Sequence, residues 1–281
     1  MQSGQPSRTA LAAATHRAVH QVLERGHIFA DPLAERILGA DAEAAVEKAR
    51  SDASKRRLRL FIAVRTRFAE DALATVVGHG VRQLVVLGAG LDTFAYRTTF
   101  GENLRVFEVD HPATQAWKCQ RLAEAAIPQP DTLTFVPIDF ERETLAEALA
   151  ANDFDAARQT FFTWLGVVPY LTEQAVFSTL GFIASLRGGS HVVFDYSNPL
   201  EMEAVRDEQA AERAALAERV NSLGESFRSY FNTHELHIKL TDLGFREIED
   251  LGPASIRARY FANRGSSSGD KGGHVVRATT V

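Results

Sequence analysis

Val85-Val86-Leu87-Gly88-Ala89-Gly90-Leu91-Asp92-Thr93 is an apolar run that breaks into two glycines and then a helix start. The run has the composition of a buried strand. Glycine lacks Cβ, so its backbone can turn tightly and let a ligand approach closely. A lone G-x-G carries little weight, but these glycines directly follow a predicted strand.

Reading outward, further apolar runs recur at Leu104–Val109, Thr132–Val136, Gln159–Trp164 and His191–Tyr196. Between them lie segments of helical composition at Thr114–Ala126, Glu143–Ala151 and Glu173–Leu186. Strands alternating with helices predict an α/β fold, with a parallel sheet covered on both faces. Phe245–Leu251 and His274–Val281 offer two more strands, after a helix at about 233–243 that Gly244 is placed to cap.

The second run ends Phe107-Glu108-Val109-Asp110-His111-Pro112, so Asp110 lies 20 positions beyond Gly90. An acid at the end of the second strand can accept hydrogen bonds from ribose hydroxyls. Strand, glycine turn, helix, strand and acid together point to a nucleoside-containing cofactor. The third glycine of G-x-G-x-x-G is absent, because Thr93 stands there. Asp92 would repel a pyrophosphate at the turn, which favours S-adenosylmethionine over a dinucleotide.

The flanks have a different texture. Residues 1 to about 80 read as helical, with Asp31-Pro32 as a helix cap followed by a first-turn proline. Leu58 to Val77 reads as a helix with one buried stripe, and Lys55, Arg56, Arg57 and Arg59 as its solvated face. Glu201 to Val220 predicts a long, mostly polar helix within an insertion, and Arg264 to Gly273 a loop. One domain is expected: a helical cap (1–80), a cofactor-binding core (81–198), an insertion (199–232) and a C-terminal helix with strands (233–281).

The net charge of −5 argues against a general nucleic-acid binder, which needs a basic surface to displace counterions. Cys119 is the sole cysteine, so no internal disulfide can form, and it reads as a packed thiol on a helix. No signal-peptide core or membrane-length apolar stretch is visible, and a cytoplasmic protein is expected.

Several ordered segments together resemble the leucine carboxyl methyltransferase-like family, in particular its bacterial branch of S-adenosylmethionine-dependent methyltransferases. They are Ala63-Val64-Arg65-Thr66-Arg67-Phe68-Ala69-Glu70-Asp71, the glycine segment, Val106–Pro112, Phe135–Phe140 and Trp164–Thr172. The resemblance implies a Rossmann-like class I methyltransferase fold, with a mostly parallel seven-stranded sheet. It implies that Arg65 pairs with the methionine carboxylate of S-adenosyl-L-methionine and that Gly88 and Gly90 flank the methionine portion. Asp110 would hold the ribose, with Glu108 as the alternative. Asp139 would accept from the adenine amino group, and Phe140 would border the ring. The acceptor would be a small molecule, methylated on a carboxylate or hydroxyl oxygen, with no nucleic acid or membrane as partner.

Two positions depart from the family's habit. Leu165 stands where an acid often follows the tryptophan, and Phe94 where an arginine often follows the Asp-Thr pair. Tyr170 and Tyr196 sit near predicted strand ends, where substrates bind in open sheets, or equally serve as core tyrosines. His111 and Tyr196 are the candidate bases for a hydroxyl acceptor. His234-Glu235-Leu236-His237 lacks zinc spacing, and His16 and His20 lack companion ligands. The alternatives are a nicotinamide-dependent oxidoreductase and a non-catalytic protein that binds S-adenosylmethionine.

Overall fold

A computed structural model describes residues 7–139, 142–199, 227–261 and 272–281 of the chain. Its centre is a seven-stranded sheet: β1 (Gln83–Leu87), β2 (Arg105–Asp110), β3 (Leu133–Pro137), β4 (Thr160–Trp164), β5 (Ser190–Ser197), β6 (Glu247–Leu251) and β7 (Gly273–Thr279). The order is β3-β2-β1-β4-β5-β7-β6. Neighbours from β3 to β5 pair in parallel, whereas β7 runs antiparallel to both β5 and β6. The sheet is therefore mixed, with one reversed strand. Order reverses between β1 and β4, and ligands of open α/β sheets bind outside the strand ends at such a point.

Alternation along the strands sorts side chains to two buried faces. Leu84, Val86, Val106, Phe161, Val193 and Val275 pack on one face with Val64, Phe68 and Leu73 of α4 (Arg56–Gly78). Val85, Leu87, Phe107, Phe162, Phe194 and Val276 pack on the other. That face is covered by α8 (Glu173–Ala184) and α9 (Thr233–Asp242). Gly244 follows α9 at φ +102°, a conformation that glycine adopts freely.

The cap comprises α1 (Arg8–Leu23), α2 (Ala34–Leu38) and α3 (Asp41–Ser51). Ala14, Ala18, Ile37 and Leu38 join Leu91 and Leu122 in a third apolar cluster, which seats the cap beside the glycine turn. α5 (Phe94–Arg97) and α6 (Pro112–Glu124) follow β1 and β2, α7 (Leu145–Ala150) follows β3, and α10 (Pro253–Tyr260) follows β6. Among the described residues, no helix is long and apolar enough to cross a membrane.

Three expectations change. Asp31 does not cap a helix that starts at Pro32, because α2 starts at Ala34. Its carboxylate instead accepts from the Leu33 N–H and the Thr93 hydroxyl. Arg59 is not on a solvated face: it is buried and donates twice to Glu24, at 2.7 and 2.8 Å. Cys119 lies on α6 but is exposed rather than packed. The predicted helix Glu201–Val220 and the loop up to Lys271 lie outside the described residues.

Candidate active site at the carboxyl ends of the strands

The glycine turn closes on itself through β2. The Gly88 and Ala89 N–H groups both donate to the Val109 carbonyl, at 2.8 and 3.2 Å. The Gly90 N–H donates to Asp110 Oδ2 at 2.6 Å, and the His111 N–H to Asp110 Oδ1 at 2.7 Å. Gly88 and Gly90 have φ +66° and +49°, where side chains with a Cβ are strained. Space also excludes a side chain. A Cβ on Gly88 would lie 2.4 Å from Val167 Cγ2, and one on Gly90 would lie 2.8 Å from Ala10 Cβ. The turn is thus roofed by the first turn of α1 and by the segment after β4.

Asp110 is largely shielded, and burial pushes its carboxyl above the usual carboxylate range against the two backbone donors. Glu108 points to the α4 side of the sheet with Val106 and Asp110. Its Oε2 receives Lys118 Nζ at 2.5 Å, while its Oε1 has no partner among the described residues. Burial raises Glu108 to about 7, although Lys118 opposes the shift.

Arg65 projects from α4 toward the ends of β4 and β5. Its Nη1 donates to Asp195 Oδ2 at 2.7 Å. Its Nε is buried and has no partner among the described residues. Asp195 Oδ1 accepts from the Gly166 N–H at 2.5 Å. Gly166 has φ +72°, and a Cβ there would sit 2.6 Å from Arg65 Nη2. Arg65, Gly166, Val167 and Gly88 therefore form a continuous run of contacts beside the glycine turn. A nearby cavity of about 20 Å³, room for a single water, is lined by Thr66, Glu70, Asp92, Phe94, Thr163 and Leu165 among others.

The other predicted positions divide. Asp139 follows β3, and its carbonyl accepts from the Arg142 and Glu143 N–H groups. Phe140 lies outside the described residues. Tyr170 ends a 3-10 turn (Val168–Tyr170), with its ring 5.3 Å from that of Phe227. Tyr196 is a core residue rather than a wall of the cleft. Its hydroxyl donates to Asp250 at 2.6 Å and lies 3.2 Å from His274 Nδ1. His111 Nδ1 accepts from the Ala113 N–H and so caps α6.

Sequence reasoning overlooked Asp31, Arg17, Arg97, Glu70 and Asp195. Asp31 accepts from Thr93 at 2.7 Å and pairs with Arg17 at 3.5 Å and Arg97 at 3.6 Å. Arg17 also donates to the Leu91 carbonyl, and Arg97 pairs with Glu70. Arg97 lies over the rings of Phe29 and Phe94, so a guanidinium reaches this turn although position 94 is Phe. Arg17, Arg97, Glu70 and Asp195 carried no local signal for this role, and the signal at Asp31-Pro32 was for a helix start, since each is defined by a partner distant in sequence.

The sequence pattern of the leucine carboxyl methyltransferase family matches residues 10–184, more than half of the chain. The chain belongs to that family. Two relatives of this family member are named as candidate S-adenosyl-L-methionine-dependent methyltransferases. YktD of Bacillus subtilis is 36% identical over 202 residues, covering 71% of this chain and 66% of that protein. SCO7813 of Streptomyces coelicolor is 39% identical over 174 residues, covering 60% of each. The chain thus spans 66% and 60% of those relatives' lengths, less than two thirds of each. The crystal structure of a candidate methyltransferase from Thermobifida fusca matches with a TM-score of 0.59 at 16% identity, covering 99% of this chain and 96% of that one. That likeness is one of fold.

The residues present fit the S-adenosyl-L-methionine that those names imply. Arg65 Nε is a buried donor without a protein acceptor, and Glu108 Oε1 a buried acceptor without a donor, among the described residues. The bare Cα atoms of Gly88 and Gly90 form the floor of the turn. Space is tighter than chemistry, because Ala10 and Val167 rest on that floor.

Proposed function

We propose that the protein is an S-adenosyl-L-methionine-dependent methyltransferase that acts on an oxygen of a small molecule. The observation that carries this reading is the buried Nε of Arg65, without a partner among the described residues and held beside a glycine turn whose Gly90 N–H is fixed by Asp110. A buried guanidinium with an open edge suits a planar carboxylate, to which it can donate two parallel hydrogen bonds.

In this reading Arg65 holds the methionine carboxylate, and Gly88 and Gly90 admit close backbone approach. Asp110, with Glu108 behind it, receives the ribose hydroxyls. Asp139 accepts from the adenine amino group, with Phe140 beside the ring by its place in the sequence. When bound, the cofactor supplies an electrophilic methyl group on a sulfonium, so the acceptor's oxygen gains the methyl as the carbon–sulfur bond breaks. The protein's contribution is to align the acceptor and exclude water. The cap, which touches the turn through Ala10, is placed to do the second.

A carboxylate acceptor is favoured over a hydroxyl. A carboxylate is ionised at neutral pH and needs no base. His111 Nδ1 is engaged in capping α6, and the Tyr196 hydroxyl is engaged by Asp250. Tyr170 is the substrate-side residue we retain.

Isothermal titration with S-adenosyl-L-methionine tests the reading, followed by a screen of carboxylic acids and phenols for S-adenosylhomocysteine release. Binding, with turnover on a carboxylic acid, is expected. Folded protein that gives no heat at near-millimolar cofactor overturns it.

A further inference from the structure

We infer that Asp195 is a positioning residue that aims Arg65 at the carboxylate of the bound ligand. The inference rests on the reading above for the ligand's identity. β5 alternates, so Val192, Phe194 and Tyr196 face α8 and α9, while Val193 and Asp195 face α4. Trp164 pairs with Phe194 across β4 and β5, which puts Leu165 beside Asp195 at the next step of the register. Leu165 has no side-chain acceptor, so the anion at this end of the sheet is supplied by the neighbouring strand.

The Asp195 side chain is 5% exposed and divides its carboxylate oxygens between two elements. Oδ2 takes Arg65 Nη1, and Oδ1 takes the Gly166 N–H. Five donors on a rigid plane mean that fixing Nη1 also fixes where Nε and Nη2 point. The bare Cα of Gly166 completes the alignment, because Arg65 Nη2 lies 2.6 Å from where a Cβ would stand. Nε is left buried, with no acceptor among the described residues. A guanidinium clamped on one side and unsatisfied on the other is prepared for a second carboxylate. Asp195 also ties that guanidinium to Val167, one residue on from Gly166 and in contact with the position over Gly88.

Asp195→Asn tests the inference. The amide keeps the shape and one acceptor for the Gly166 N–H, but loses the charge that holds Arg65. Calorimetric titration compares S-adenosyl-L-methionine with 5′-methylthioadenosine, which carries the nucleoside and thioether without the amino-acid carboxylate. The variant is expected to bind S-adenosyl-L-methionine about tenfold more weakly or worse, with methylthioadenosine changed by less than about twofold. If the Asn variant does not fold, Asp195→Glu serves, since its longer side chain displaces the guanidinium while keeping the charge. The same selective loss is expected. Equal weakening of both compounds, or of neither, overturns the positioning role. Failure of the wild type to bind S-adenosyl-L-methionine is a separate outcome: it removes the functional reading itself, and the role of Asp195 with it.

Discussion

Glu108 Oε2 and Lys118 Nζ meet at 2.5 Å between β2 and α6, with each side chain 1% exposed. Two charges desolvated so fully stand or fall together. Lys118→Met is expected to destabilise the fold by about 3 kcal/mol, while Glu108→Gln with Lys118→Met restores most of that loss. Urea unfolding of the three proteins checks it. Equal stability of the single and double variants contradicts the pairing.

The same pair sets a pH dependence. Glu108 is raised when folded, first by burial, so its contribution is fully present below the unfolded carboxylate range and is lost as pH rises through about 7. Without Lys118 to oppose it, the rise is larger. Lys118→Met should therefore lose more melting temperature than wild type between pH 5 and pH 8. Parallel melting curves at the two pH values would falsify this.

Asp250 works in the opposite direction. Burial raises its carboxyl, but hydrogen bonds with His274, Tyr196 and His237 outweigh it and leave the value below the ordinary one. Its stabilisation is present above the unfolded aspartate range and disappears as pH falls through the lower folded value. Asp250→Asn should lower stability at neutral pH and make the acid limb of the unfolding profile shallower. An unchanged acid limb assigns the transition to other carboxylates.

Asp31 ties the cap to the turn through Thr93, Arg17 and Arg97. Asp31→Asn takes from Arg17 its anionic partner among the described residues, while Arg97 keeps Glu70, at a cost of about 3 kcal/mol. The loosening should be local at first. Hydrogen exchange at residues 89–94 is expected to accelerate before exchange in β4 and β5, and uniform acceleration would deny the link.

Much of the scaffold was legible. The apolar run through Val85-Val86-Leu87 was legible as a strand, and β1 spans Gln83–Leu87 with all five residues buried. Gly88, Gly90 and Asp110 could be grouped because β1 and β2 pair in parallel, which sets the turn after the first beside the end of the second. α6 was legible as a helix, but which of its faces is buried was not. Its buried face carries Thr114, Gln115, Lys118 and Leu122, while Cys119 faces out. Apolarity cannot foresee a buried lysine whose reason is a glutamate ten positions earlier on another element. Arg59 was hidden in the same way, since Glu24 lies 35 positions away. Asp31 misled because an Asp-Pro pair signals a helix start equally well when the carboxylate serves a distant hydroxyl.

The placement of β7 between β5 and β6 has a bearing on biosynthesis. The ribosome delivers β6 before the strand that joins it to the sheet. Until residues 273–279 have emerged, β5 presents an open edge and β6 has no neighbour to pair with. The nascent chain must hold this half-built sheet without self-association, so an arrested or slowly translated chain should depend most on chaperones in that interval.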